Sequence, residues 1–275
     1  MIAETLNYLA ATSPRLRRLI WRHAYQALNR VFAGTTWHFL SYGYVSLEAG
    51  APSLRLEAAD EPDRAFVQLY AHVAATAAGL AGKDVLEVSC GRGGGAAFLA
   101  RYLGPRTVIG LDRSERAVEY CRRHHRRPGL AFCAGDAEAL PFPEARFDVV
   151  VNVESSHCYG SMAGFLREVR RVLRPGGWLV LADVRPADEL PALGEAFQQA
   201  GLPTERMEDI TANVLASLDQ LHERKLAAVR THAPRLFVPL MLEFAGVRGS
   251  AMYAALARRE KRYVHYASRK ETAPH

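Results

Sequence analysis

A glycine-rich stretch between residues 84 and 97 carries the residue types with the clearest chemical potential. It reads DVLEVSCGRGGGAA, an apolar β-branched run followed by four glycines and then alanines. This pattern predicts a buried parallel strand that ends in a tight turn and continues as a helix. Because glycine lacks a Cβ atom, ligand and backbone can approach closely at such a turn. The stretch therefore indicates a nucleotide-cofactor site.

An acidic residue inside the predicted strand narrows the kind of cofactor. Gly91, Gly93 and Ala96 also fit the dinucleotide fingerprint, so the glycines alone leave the ligand open. Glu87 precedes them within the strand, where it would approach the amino and carboxylate end of a zwitterion. The same carboxylate would repel a pyrophosphate. This position argues against a nicotinamide-dependent reductase, which stays as the alternative from another reaction class.

Two more acidic residues follow predicted strands and suit a nucleoside. Asp112 ends the strand at 107–111 and can accept two hydrogen bonds from ribose hydroxyls, although it would also serve as a cap for the next helix. Asp136 follows the strand at 130–134 and can accept from an adenine amino group, while the next backbone N–H, of Ala137, donates to the ring. Both positions extend the predicted cofactor site.

These residues need a scaffold in which strands and helices alternate. The spacing predicts a parallel, doubly wound sheet, with a largely helical stretch before the last strand. The predicted strands are 84–88, 107–111, 130–134, 147–151, 178–182, 205–210 and 262–268, and the predicted helices are 60–79, 96–103, 114–125, 162–173, 190–200 and much of 212–257.

The segments before residue 60 carry two patterns with open interpretations. Residues 14–32 form an amphipathic basic pattern, which favours a helix packed across the cofactor domain over one lying on a membrane surface. Residues 34–50 are dense in aromatic side chains, which would either wall the active site or fill the core of a cap. We therefore divide the chain into a cap segment at 1–59, a core at 60–210, a helical cap insertion at 211–258 and a last strand with tail at 259–275.

The composition excludes several classes of protein. A chain of 275 residues with 49% hydrophobic residues can form a packed core, and it contains no apolar run long enough to span a membrane and no secretory leader pattern. The net charge is +6, but the basic cluster at 122–127 lacks the interleaved aromatics of a nucleic-acid groove. The four cysteines lack metal-ligand spacing. We expect a cytoplasmic protein with reduced thiols and no nucleic-acid partner.

The motifs together resemble the class I S-adenosylmethionine methyltransferases over roughly residues 60–185. The first motif of that family has the form acid-x-small-x-Gly-x-Gly-x-Gly, and the sequences GDAEALPF, FDVV and RVLRPGG match its later motifs. Ser89 stands where that family most often has glycine. A closer similarity is to the phthiotriol and phenolphthiotriol dimycocerosate O-methyltransferases, through DEPDRAFVQLY, LEVSCGRGGG and ADVRP. The resemblance implies a Rossmann-like, mostly parallel seven-stranded sheet with helical caps.

The resemblance also implies a set of cofactor-binding residues for S-adenosylmethionine and its product S-adenosylhomocysteine. The methionine end would contact Glu87, Ser89, Gly91 and Gly93, the ribose Asp112, and the adenine Asp136 and Ala137. The sulfonium would lie beside Asn152 and Glu154. Arg113 would stack near the adenosine, and Tyr70 would close over the cofactor.

Methyl transfer to a hydroxyl needs a residue that removes the hydroxyl proton. Such a base contributes about 10²–10⁴-fold to the rate. His157 follows the fourth predicted strand at the carboxyl edge of the sheet, and its unperturbed pKa of about 6.5 suits the role. Asp183 ends the fifth strand and would orient His157 or take the proton itself. The alternative is that both are structural, His157 as a packed residue at a helix start and Asp183 as a hydrogen-bond acceptor at a strand end. No third ligand accompanies this pair, so we expect no metal.

The expected activity is O-methylation of a hydroxyl on a hydrophobic natural product of polyketide or lipid type. Alternatives on the same scaffold are carbon or nitrogen methylation, RNA modification, and a binding or cyclising protein that has lost methyl transfer. We expect no stable membrane insertion, and leave open a peripheral membrane contact and a homodimer. The candidate contacts to the acceptor are the aromatic residues Trp37, Tyr42, Tyr44 and Tyr159.

Overall fold

The computed structural model describes residue 35, residues 37–50 and residues 53–272. The predicted helix at 14–32, much of the predicted cap segment at 1–59 and the last three residues of the tail lie outside this range. No helix of the described part of the chain is long and apolar enough to cross a membrane.

Seven strands and nine α-helices form the described part of the chain. The strands are β1 (Asp84–Val88), β2 (Thr107–Asp112), β3 (Leu130–Ala134), β4 (Phe147–Val153), β5 (Leu173–Pro186), β6 (Thr204–Asp209) and β7 (Lys261–Arg269). The helices are α1 (Arg64–Ala75), α2 (Gly94–Tyr102), α3 (Glu115–His124), α4 (Met162–Val172), α5 (Leu190–Gln199), α6 (Thr211–Gln220), α7 (His222–His232), α8 (Val238–Ala245) and α9 (Ala251–Ala257).

All seven strands join one sheet in the order β3-β2-β1-β4-β5-β7-β6. The first five are parallel, and β7 runs antiparallel to both β5 and β6. The predicted Rossmann-like, mostly parallel seven-stranded sheet is therefore confirmed. The strand order reverses between β1 and β4, and ligands of such sheets bind beyond the carboxyl ends of the strands at that point.

Burial on both faces of the sheet explains why its central strands are continuously apolar. All five residues of β1 are buried. Val85 joins the core formed with α1 and α2, whereas Leu86 joins the core formed with α4 and α5 on the other face. Side chains alternate along a strand, so this one short strand contributes to two cores.

Several predicted element ends differ from the observed ones for local reasons. The first predicted helix extends to residue 79 but α1 ends at Ala75, because Thr76 Oγ1 donates to the Val73 carbonyl and Ala78 adopts a positive φ of 53°. The fifth predicted strand begins at residue 178, yet β5 begins at Leu173, which pairs with Phe147 across a shift in register.

The predicted helical stretch before the last strand is present as α6 to α9, between β6 and β7. Val229, Ala233 and Met241 form a small apolar cluster of their own within it. The division of the chain into a core and two cap segments remains a proposal, and this local cluster supports it.

A charge cluster fastens the sheet at the edge opposite the glycine-rich turn. Asp84, which begins β1, is 3% exposed, and its carboxylate pairs with the guanidinium groups of Arg106, Arg146 and Arg174. The hydrogen bond from Arg106 is the main cause of a pKa well below the ordinary value for Asp84, and Thr107 and Arg174 lower it further. The three cations tie β1 to the chain before β2 and to the end of the β4–β5 pairing where Phe147 meets Leu173.

We expect Asp84→Asn to destabilise the fold without changing the shape of the site. The loss should be about 1–2 kcal/mol of unfolding free energy, because hydrogen bonds to a charged group are lost but the arginines are partly solvated. Denaturant unfolding measures it, with Asp188→Asn at an exposed position as the control. An unfolding free energy equal to that of the control would contradict the role given to Asp84.

Candidate active site

A cavity of about 600 Å³ opens beyond the carboxyl ends of β1, β2 and β4. It lies at the point where the strand order reverses, as expected for this class of sheet. Many of the predicted site residues form its wall: Tyr70, Ser89, Gly91, Asp112, Arg113, Asp136, Ala137, Glu154 and Tyr159.

The turn after β1 has the backbone conformation that the glycine pattern predicts. Gly91 and Gly93 adopt φ values of 55° and 77°, and Ser89 adopts φ 61°, in the left-handed region that favours glycine. Ser89 keeps this conformation while its Oγ lies 2.8 Å from the Tyr159 hydroxyl. At Gly95 a Cβ atom would overlap the Tyr70 ring and Glu87 Oε1. The turn therefore brings the backbone directly against the cavity.

Glu87 lies behind Gly95, one layer back from the cavity. Its side chain is 1% exposed, and Oε1 accepts a hydrogen bond of 2.7 Å from the Tyr70 hydroxyl. Burial raises the pKa of Glu87 to about 8, although the Tyr70 hydrogen bond opposes the shift. Within the described part of the chain, Glu87 Oε2 has no hydrogen-bond partner. A carboxylate oxygen in this state would be stabilised by a cationic or N–H donor group.

Asp112 is placed to bind a diol while it holds the turn together. Its Oδ2 accepts from the Gly91 N–H at 2.9 Å, and its Oδ1 accepts from the Ser114 N–H at 2.8 Å. Burial nevertheless raises its pKa to about 6. Each carboxylate oxygen has a further lone pair, so Asp112 can still accept hydrogen bonds from hydroxyls in the cavity.

A polar network joins the ends of β1 and β4. Asn152 is fully buried, and its Nδ2 donates to the Val88 carbonyl at 3.0 Å and to the Tyr159 hydroxyl at 2.8 Å. Tyr159 in turn contacts Ser89 and Ser155. This network places Asn152 behind the wall, where it positions Tyr159 rather than lining the cavity itself.

Glu154 follows β4 in a strained conformation with φ 48°. Its Oε1 accepts from the Tyr42 N–H at 2.6 Å and from the Tyr263 hydroxyl at 2.8 Å. Burial raises the pKa of Glu154 to about 7, against the opposing effects of these two donors and of Lys225. Strain of this kind is concentrated at functional sites.

His157 and Asp183 are in direct contact with each other, and neither is among the residues that line the main cavity. His157 Nδ1 lies 2.7 Å from Asp183 Oδ1, and the imidazole is 21% exposed whereas Asp183 is fully buried. Asp183 also accepts from the backbone N–H groups of His157 and Val184 and from the Ser156 hydroxyl. Arg185 Nη2 approaches it at 3.3 Å.

The pKa values of His157 and Asp183 are shifted in opposite directions. Burial alone would lower the pKa of His157, but its interactions with Cys158 and with the Asp183 carboxylate outweigh burial and raise the pKa to about 10. Burial alone would raise the pKa of Asp183, and the opposite charges of His157 and Arg185 hold it well below its ordinary value. The pair is therefore an ionised carboxylate that binds an imidazolium at neutral pH.

The remaining predicted residues lie outside the described wall of the cavity. Gly93 packs against α3 and β3, and Tyr42 contacts Glu154 through its backbone N–H. Trp37 lines a smaller cavity of about 60 Å³ under the cap helices, and Tyr44 stacks on His72 with ring centroids 4.4 Å apart. Tyr159 is thus the one predicted acceptor contact that reaches the main cavity.

Residues near the N-terminal end of the described chain close one side of the cavity, and no sequence motif assigns them to the site. His38, Leu40 and Ser41 belong to the wall and lie within the aromatic stretch at 34–50, but none of them is among the predicted acceptor contacts. Arg92 is 2% exposed and donates to the Trp37 carbonyl at 2.5 Å, which fastens this segment to the glycine turn. The position of Arg92 inside the glycine motif was the sequence signal that could have identified it as a site residue. Cys158, beside His157, also lines the cavity.

Comparisons with known proteins agree with this geometry. Residues 86–181 match the family described as "Methyltransferase domain". The chain is 40% identical over 271 residues to the phthiotriol/phenolphthiotriol dimycocerosates methyltransferase of Mycobacterium tuberculosis, covering 98% of this chain and 99% of the relative. It is 39% identical to the fatty-acid O-methyltransferase of Mycolicibacterium smegmatis, covering 92% of this chain and 88% of the relative. The crystal structure of the [4+2]-cyclase SpnF superposes with a TM-score of 0.68 at 24% identity, over 90% of this chain and 92% of that chain.

We expect Asp112→Asn to weaken binding of S-adenosylhomocysteine by at least about tenfold. The asparagine would present an N–H₂ group toward a backbone N–H and lose a charge-assisted acceptor for hydroxyls. Calorimetric titration measures the affinity, and Glu119→Gln, on the exposed side of α3, is the control. An affinity within about twofold of the wild-type value would contradict the role given to Asp112.

Proposed function

The chain belongs to the class I S-adenosylmethionine-dependent methyltransferases, close to the phthiotriol/phenolphthiotriol dimycocerosates methyltransferases, and we propose that it methylates a hydroxyl group of a lipid-type acceptor. The observation that carries the hydroxyl assignment is the hydrogen bond between His157 and Asp183 at the carboxyl edge of the sheet. Family membership removes the reductase alternative. Methyl transfer to carbon would use the same base and is distinguished by the atom that is methylated.

The described residues fit S-adenosylmethionine. Bound there, this cofactor supplies an electrophilic methyl group on a sulfonium. We assign Asp112 to the ribose hydroxyls and Asp136 with Ala137 to the adenine, since all three line the cavity. The unpartnered Oε2 of Glu87, one layer behind Gly95, suits the ammonium of the methionine end. The raised pKa values of Glu87 and Glu154 support this assignment, because a nearby cation would favour their ionised forms.

His157 is the proposed general base. Its Nδ1 donates to the ionised Asp183, so the neutral ring carries its lone pair on Nε2, which is the nitrogen that would accept the hydroxyl proton. Asp183 is proposed as a positioning residue rather than the base, because five donors already satisfy its carboxylate and its pKa lies far below neutrality. Its negative charge also stabilises the imidazolium that forms when the proton is taken.

The acceptor's apolar part has a complementary surface. The smaller cavity shares Phe39, Leu40 and Ser41 with the main cavity, and it is otherwise lined by Trp37 and side chains of the cap helices. Met241 and Phe244 belong to these cap side chains. A small, mainly apolar cavity beside the main one supports an acceptor with an apolar part.

We predict a rate that rises with pH, because His157 must be neutral to accept a proton. Its raised pKa leaves the neutral form scarce below pH 10 in the free enzyme, and the sulfonium charge shifts the midpoint downward in the complex. Cys158 and Asp183 both raise this pKa, and Asp183→Asn removes the contribution of the carboxylate. The midpoint of the kcat–pH profile should then fall by about one to three pH units, together with a lower maximal kcat. An unchanged midpoint in Asp183→Asn would contradict the coupling.

A carboxyl acceptor is the second candidate, favoured by the similarity to a fatty-acid O-methyltransferase. The two candidates differ in their need for a base, since a carboxylate is already ionised at neutral pH whereas a hydroxyl is not. His157→Gln should therefore reduce methyl transfer to a long-chain secondary alcohol by about 10²-fold or more, and leave transfer to a fatty acid nearly unchanged.

The measurement uses S-adenosylmethionine with a labelled methyl group and follows each product by mass spectrometry, since mild alkali cleaves methyl esters but not methyl ethers. Wild-type activity on the alcohol that depends on His157 supports the hydroxyl proposal. Wild-type activity confined to the fatty acid, and retained in His157→Gln, would overturn it in favour of the second candidate.

A further inference from the structure

Two histidines and a glutamate converge at the edge of the sheet, away from the cofactor cavity. They are His72 on α1, Glu208 on β6 and His265 on β7, and one potential ligand atom of each lies within 4.8 Å of the others. Glu208 and His265 are direct partners across the β6–β7 pair, so their side chains share a face of the sheet. None of the three lines the cavity assigned to methyl transfer.

The hydrogen bonds of Thr76 determine which nitrogen of His265 can act as a ligand. Thr76 Oγ1 donates its proton to the Val73 carbonyl at 2.8 Å. The contact of 3.2 Å between Thr76 Oγ1 and His265 Nε2 must then be donated by the imidazole. The Nδ1 of His265 therefore carries a lone pair, and the described residues offer it no hydrogen-bond partner although the side chain is fully buried. In a metal-binding histidine, the ring nitrogen that does not bind the metal usually donates a hydrogen bond, as Nε2 of His265 does here.

His72 presents a similar unsatisfied nitrogen. Its Nε2 lies 3.3 Å from Glu208 Oε2 but finds no partner of hydrogen-bond geometry in the described part of the chain. Stacking against Tyr44 holds the ring. Two ligands bound at about 2.0–2.1 Å in a tetrahedral site are about 3.3–3.4 Å apart, which matches this separation.

We propose that His72, Glu208 and His265 bind a divalent transition-metal ion, with Zn²⁺ as the expected ion. Imidazole nitrogen and carboxylate oxygen are ligands that Zn²⁺ accepts in a three-residue site completed by water. Arg206 also contacts Glu208 Oε2, at 2.9 Å, but its side chain is 58% exposed and can be displaced at small cost. The ion would clamp α1, which carries Tyr70, onto the sheet edge from which the cap helices depart.

Burial keeps both imidazoles ready to bind metal. It lowers the pKa of His72, and it lowers the pKa of His265 to about 3. Neutral imidazole is the form that binds a metal ion, so no proton has to be removed at neutral pH.

The test is titration of the full-length, chelator-treated protein with Zn²⁺ in competition with a chromophoric chelator. We expect one Zn²⁺ per chain, affinity reduced by more than about tenfold in Glu208→Gln and in His72→Gln, and wild-type affinity in Glu205→Gln. Glu205 is exposed on the same strand, so this variant removes the same charge without touching the site. Both site variants alter partly exposed side chains, which limits their effect on folding.

Cobalt spectra and thermal melts complete the test. Co²⁺ bound to nitrogen and oxygen should give d–d bands without thiolate charge transfer, and Zn²⁺ should raise the melting temperature of wild type but not of Glu208→Gln. The proposal is overturned if wild type binds no Zn²⁺, if Glu208→Gln binds it as tightly as wild type, or if thiolate bands show that cysteines hold the metal. These readouts do not depend on methyl transfer.

Discussion

The ionised carboxylate of Asp183, fully buried between the sheet and the chain after β4, is the constraint on which the proposed chemistry depends. A buried charge is costly unless it is paired and hydrogen-bonded. β5 extends to Pro186, which places Arg185 two residues beyond Asp183 on the same face of the strand, and the turn after β4 supplies donors from Ser156 and His157. The carboxylate and the imidazole therefore hold each other in one orientation, and this orientation decides which ring nitrogen can receive a proton.

Burial also determines which ligand charge the cavity favours. Asp112 and Glu154 line the cavity at the ends of β2 and β4, and Glu87 of β1 lies one layer behind it; burial raises the pKa of each, to about 6, 7 and 8. The pKa of such a carboxyl group falls toward its ordinary value when a cation binds nearby. Three carboxylates in this state around one cavity match a cofactor that carries a sulfonium and an ammonium, and they disfavour a pyrophosphate. The position of Glu87 within the predicted strand indicates the same electrostatic distinction.

Sequence reasoning succeeded where local pattern determines structure, and it was incomplete where distant segments meet. The strand and glycine pattern around Glu87 and the acid at Asp112 could be predicted because parallel strands end at one edge of the sheet. The wall formed by His38 and fastened by Arg92 could not, since these contacts join segments with no shared periodicity. The cluster at His72 was invisible for the same reason, because its three members come from one helix and two later strands. Whether the assigned side chains bind cofactor and acceptor remains a prediction.

The most direct test of the central claim is to identify the atom that receives the methyl group and the residue on which transfer depends. Wild type and His157→Gln would be incubated with labelled S-adenosylmethionine and a long-chain secondary alcohol, and the products analysed by mass spectrometry. We predict an alkali-stable methyl ether from the wild type and about 10²-fold less from the variant. An ether formed equally by both proteins would contradict His157 as the base, and a product methylated on carbon would contradict the hydroxyl assignment.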